Sequence, residues 1–157
     1  MGFVLLAAAG FGWTGRTWRL VPILTIFALV IVIDLCVRLV PDILTALGLV
    51  YAVGLAAIAG QRPLVDAVVG TVIAGGVLLL LALASRGQIG GGDVKLAAVL
   101  GAALGWQVAL VVVAVAEVAA GIVGLIALAV LRRRPTRLIP VGAVIALFGA
   151  VALIVTS

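Results

Sequence analysis

Over residues 96–131 the chain runs for 36 positions with one ionisable side chain, Glu117. A helix of that length would be about 54 Å long and apolar on every face, which fits a lipid environment and not a water-exposed one. It is too long for one crossing of a hydrocarbon layer of about 30 Å and short for two. The natural break is Gly105-Trp106-Gln107. That leaves a helix over 93–104 of only about 18 Å, whose N-terminus should start below the membrane surface. Irregular backbone at such depth is tolerated only where protein or a watery cavity surrounds it. The Gly90-Gly91-Gly92 run ahead of Asp93 is therefore expected to line a cavity.

The remainder of the chain agrees with a membrane protein. It is 67% hydrophobic and 10% charged over 157 residues, against the ~45–50% apolar content of soluble domains. Further spans are expected over 20–37, 42–60, 64–84 and 138–155. Pro41 closes the first, and Asp42 with Thr45 three residues on suits a helix start in which the carboxylate caps backbone N–H groups. Gln61-Arg62-Pro63 makes the next turn. Residues 1–13 are apolar but cover only about 20 Å as helix. No basic residue precedes them, which disfavours a secretory signal peptide. Trp13, Arg16, Trp18 and Arg19 resemble an interfacial belt. The expected fold is all-α and polytopic, with about six transmembrane helices plus a short apolar N-terminal segment. A single transmembrane domain would occupy 1–157, with no soluble domain.

Ten basic and five acidic residues give a net charge of +5. Alternating the spans puts Arg38, Arg86, Lys95, Arg132, Arg133, Arg134 and Arg137 on one side and Arg16, Arg19 and Arg62 on the other. The richer side is the expected cytoplasmic one. The 132–137 cluster also suits anionic lipid. Aromatic residues do not interleave with basic ones, so nucleic acid is not an expected partner. One cysteine, Cys36, and no histidine exclude a Cys/His zinc site, an internal disulfide and a histidine base. Neither metal nor cofactor is expected, and carboxylates remain as acid and base.

Asp34 and Asp93 then share the cytoplasmic half of the membrane, where an ionisable group is costly unless it faces protein or water. Two carboxyls at one depth can hydrolyse a peptide: a protonated one polarises the carbonyl while its ionised partner takes a proton from water. Asp93 at a helix N-terminus is expected to be the base and Asp34, near a helix C-terminus, the acid. Gly90, Gly91 and Gly92 would let a substrate backbone come close. Asp93 could instead simply cap its helix. Asp42 reads as a helix cap near the site and Asp66 as a surface or capping group. Lys95 either touches substrate or snorkels to the interface. Glu117 reads as a neutral group hydrogen-bonded to a neighbouring helix, or as a third functional carboxylate. Cys36 reads as a small apolar filler. Ala97, Gly101 and Gly105, four apart, suit close helix packing. A different reading makes the chain a small transporter or channel subunit in which Asp34, Asp93 and Glu117 handle cations.

The pattern Asp34-x6-Pro41-Asp42-x2-Thr45, then Gly90-x-Gly92-Asp93-Val94-Lys95-Leu96 and Gly101-x3-Gly105-Trp106, resembles the type IV prepilin peptidases, GxGD-type aspartic proteases of the cytoplasmic membrane. Ile139-Pro140-Val141-Gly142 is similar to the start of that family's last helix. The resemblance implies Asp34 and Asp93 as the catalytic pair. It also implies cleavage of a short basic leader from pilin-like precursors, after a glycine, on the cytoplasmic side. Larger members carry paired cysteines and a methylating activity. With one cysteine and no soluble segment, this chain looks like the short, peptidase-only form, suited to a Flp/Tad-like or archaellin-like system.

Overall fold

Pro41 and the glycines at 60, 90 and 105 cut the apolar chain into helices. In the computed structural model, which describes residues 15–85, 89–131 and 141–156, there are six. They are α1 Gly15–Val37, α2 Asp42–Ala59, α3 Gln61–Ala84, α4 Gly91–Leu104, α5 Trp106–Leu131 and α6 Val141–Thr156. No strand occurs among the described residues. The fold is all-α, as expected. Four helices are long and apolar enough to cross a membrane: α1 from Arg19, α2, α3, and α5 over Trp106–Val123. The other two are shorter, with 14 residues in α4 and 16 in α6.

The breaks have local causes. Gly60 and Gly105 take positive φ, 131° and 79°, where a side chain would be strained. α1 ends differently, because Arg38 itself adopts the left-handed conformation at φ 56° and its N–H bonds the Asp34 carbonyl at 2.9 Å. That closure turns the chain sharply just after Asp34. α3 begins three residues earlier than the sequence suggests, at Gln61, because Pro63 fits a first helical turn whose N–H groups need no intrahelical partner.

The short helix α4 is the centre of the bundle and packs on α2, α3, α5 and α6. Leu96, Ala97, Val99 and Leu100 are buried there, together with Phe27 and Val30 of α1 and Ile145 of α6. α3 approaches α4 most closely. A Cβ on Gly101 would meet the Gly70 carbonyl, and one on Gly70 would meet the Gly101 carbonyl, so the expected close packing at Gly101 is backbone against backbone. Outward-facing Val50, Ile58, Leu80 and Leu125 are exposed, as a lipid-facing surface requires. The segment 1–13, Trp13, Arg86, Gln88 and the 132–137 cluster lie outside the described residues.

Candidate active site

The turn after α1 and the N-termini of α4 and α6 meet at one end of the bundle. They enclose a cavity of about 480 Å³. Asp34, Asp93, Asp42, Lys95 and Gly90, Gly91 and Gly92 all line it, so every site residue expected from the sequence falls in one place. The two aspartates are buried, at 5% and 8% exposure. Two carboxyls so enclosed must each find a polar partner or a proton.

Each carboxyl has a helix N-terminus. Asp93 reaches back from the third residue of α4, and its Oδ2 accepts the Gly90 N–H at 3.2 Å. The capping reading of Asp93 is thus part of the site. Asp34 is the surprise. Its Oδ2 accepts the Ala143 N–H, in the first turn of α6, at 2.7 Å. The expectation of Asp34 as the acid considered only the C-terminus of its own helix. The fold brings the N-terminus of α6, with its free N–H groups, to the same carboxyl.

Asp42 does not cap its helix. The N-cap of α2 is Pro41, no side-chain capping bond forms, and Asp42 is the first helical residue. Its carboxylate pairs instead with Lys95 Nζ at 2.6 Å, joining α2 to α4 across the cavity mouth. Lys95 is therefore not a simple snorkelling cation. Thr45 spends its hydroxyl on the Asp42 carbonyl at 2.9 Å.

The three glycines divide the work unequally. A Cβ on Gly92 would stand 2.7 Å from Val40 Cβ, so Gly92 exists to let the post-α1 turn lie on α4. Gly90 faces the Asp93 carboxyl, and only Gly91 has open space beside it. Gly142 belongs to the site as well, since a Cβ there would press on Val40 Cγ2 at 2.6 Å and Asp34 Oδ2 at 3.1 Å. Val40 and Ala143 carried no sequence signal at all. Their roles arise from the way α6 returns to α1.

Glu117 sits on α5 with Oε1 buried and without a hydrogen-bond partner, so the bond to a neighbouring helix expected for it is not made by that oxygen. Asp66 lines a larger cavity of about 660 Å³ at the opposite end, beside Arg19, Tyr51 and Trp106. It is the one carboxylate among that cavity's described lining residues. Cys36 is exposed near the end of α1 and is not a buried filler. No group of three or more His, Cys, Asp or Glu side chains among the described residues is placed to hold a metal ion.

The sequence matches the model of the type IV leader peptidase family over residues 21–125. No curated protein and no solved structure matches the chain.

Proposed function

Since the chain belongs to the type IV leader peptidase family, and is thus a membrane protease, we propose that it is an aspartic endopeptidase that removes the short basic leader from prepilin-like precursors. Asp34 and Asp93 form the catalytic pair, with Gly91 and Lys95 facing the substrate and Gly90 and Gly92 shaping the site around it. The whole chain acts as one transmembrane peptidase domain and does this work in the cytoplasmic membrane, with the site toward the cytoplasm. The observation that carries the reading is that two buried carboxyls from distant parts of the chain line one cavity, with Gly91 open beside them.

The chemistry follows from the pair. The ionised carboxyl takes a proton from a water molecule as the water oxygen attacks the scissile carbonyl carbon. The protonated carboxyl gives its proton to the carbonyl oxygen, so a neutral tetrahedral diol forms. On collapse the carboxyl that took the water proton gives it to the nitrogen as the C–N bond breaks, the other carboxyl recovers a proton from a diol hydroxyl, and the products are the leader's carboxyl and a new N-terminal amine. The cation-rich side of the chain supports the cytoplasmic orientation, since Arg38 and Lys95 line the same cavity as the aspartates.

The test is cleavage by the purified, lipid-reconstituted protein of a synthetic precursor with a basic leader, a glycine and an apolar helix. Cleavage after the glycine is expected, and Asp34→Asn and Asp93→Asn should each lower the rate by about 10²–10⁴-fold. Full activity in either variant, or no cleavage by the unaltered protein, would overturn the proposal. The transporter reading predicts ion flux and no cleavage in the same vesicles.

A further inference from the structure

The wider cavity at the end of the bundle away from the aspartates exists because α4 is short. A Cβ on Gly70 would meet the Gly101 carbonyl, which fixes the antiparallel register of α3 and α4. Asp66, four residues before Gly70, therefore stands level with Gly105, four residues after Gly101. A Cβ on Gly48 would touch Val99 at 3.2 Å, and six residues further along each helix the same break falls level with Gly54 of α2. Both registers put the α4–α5 break, and Asp66 with it, about 8 Å inside the α2–α3 turn at Gly60. The space that α4 does not reach is the cavity of about 660 Å³.

Its lining has two parts. Leu20, Ile23 and Leu55 make an apolar wall, and Trp106 and Gln107 stand at the start of α5. Arg19 of α1 and Asp66 of α3 supply one charge of each sign, and no ion pair joins them among the described residues. Arg62, one turn before Asp66, does not line the cavity and makes no ion pair with Asp66 among those residues either. The Tyr51 hydroxyl serves neither charge, because it donates to the Arg19 carbonyl at 2.7 Å and so fixes α1 against α2. An ionisable group at this depth of a membrane bundle is costly unless water or an opposite charge meets it. Tyrosine and tryptophan rings belong to the level of the lipid headgroups.

We propose that this cavity binds one phospholipid whose headgroup carries both a phosphate and a primary ammonium, of the phosphatidylethanolamine type. The phosphate meets Arg19, the ammonium meets Asp66, and the start of an acyl chain lies along Leu20, Ile23 and Leu55. Charge complementarity selects this occupant. A net-anionic headgroup such as that of phosphatidylglycerol satisfies Arg19 but leaves Asp66 facing a second negative charge. A soluble phosphate monoester leaves the apolar wall in water. The site is remote from Asp34 and Asp93 and goes beyond the peptidase reading, so it stands or falls without it.

The experiment is native mass spectrometry of the purified full chain in detergent, with phosphatidylethanolamine and phosphatidylglycerol of the same acyl chains added at equal concentration. The unaltered protein should retain one phosphatidylethanolamine about fivefold more than phosphatidylglycerol, the size expected of one partly screened charge pair. Asp66→Asn should abolish that preference, and Asp66→Lys should reverse it. Arg19→Gln should lower retention of both lipids. Should Asp66→Asn aggregate, Asp66→Ser removes the same charge and is read in the same way. Equal retention of the two lipids by the unaltered protein marks ordinary surface lipid and overturns the proposal. A preference that survives in folded Asp66→Asn protein overturns it too, as does displacement of the lipid by soluble phosphoethanolamine at the same concentration.

Discussion

Asp42 and Lys95 meet at 2.6 Å, yet their side chains are 77% and 48% exposed. Solvent screening makes such a pair worth at most about 1 kcal/mol, so it is not there to hold the bundle together. Its place at the cavity mouth gives it a different use. If the substrate carries the proposed basic leader, a leader cation would compete with Lys95 for Asp42, because the exposed carboxylate accepts either ammonium at little cost. Asp42→Asn is therefore expected to change unfolding stability by less than about 1 kcal/mol. At the same time it should raise KM for a precursor with a basic leader several-fold at low salt, with kcat nearly unchanged. Steady-state kinetics at two ionic strengths, beside a denaturation curve, checks both halves. An unchanged KM would remove Asp42 from substrate recognition.

At the scale of elements, the site depends on how tightly the post-α1 turn is clamped between two helix N-termini. Val40 is the clamp, touching the positions where Gly92 of α4 and Gly142 of α6 would carry a Cβ. Gly92→Ala should cost about 1–3 kcal/mol, because backbone must move to admit the methyl group. Gly91→Ala, with open space and no positive φ, should stay within about 1 kcal/mol of the original on the stabilising side. Unfolding in mixed micelles compares the two, and equal effects would contradict the clamp. Gly142→Ala separates packing from chemistry. Its clash with Val40 Cγ2 is relieved by Val40→Ala, but the 3.1 Å approach to the Asp34 carboxyl remains. The double variant is thus expected to recover stability while cleavage stays reduced by at least about tenfold.

For the molecule as a whole, the sequence made the helices readable because each break has a local cause: Pro41, Gly60 and Gly105 punctuate runs that are otherwise apolar. Asp34 and Asp93 stood out for the same reason, since a carboxylate in such surroundings needs an explanation. What could not be read is where distant helices touch. Nothing local in 141–156 says that the Ala143 N–H will meet Asp34, and reasoning from the ends of one helix does not reach that contact. Asp42 looked like a cap because capping is a local property, whereas its partner Lys95 lies 53 residues away in sequence and on another helix. Orientation is the remaining whole-molecule property, and the chain carries its own reporter for it. Cys36 is its one cysteine, is exposed, and sits at the next-to-last position of α1, two residues beyond Asp34. If the active-site end faces the cytoplasm, a membrane-impermeant maleimide should modify Cys36 in inside-out vesicles and leave it unmodified in intact spheroplasts. A Cys36→Ser, Arg62→Cys double variant carries the thiol at the opposite end, in the first turn of α3, and should show the reverse pattern. Labelling of Cys36 from outside intact spheroplasts would turn the molecule over. The orientation expected from the excess of basic residues at the end that carries Arg38 and Lys95 would then have been overridden by the rest of the chain.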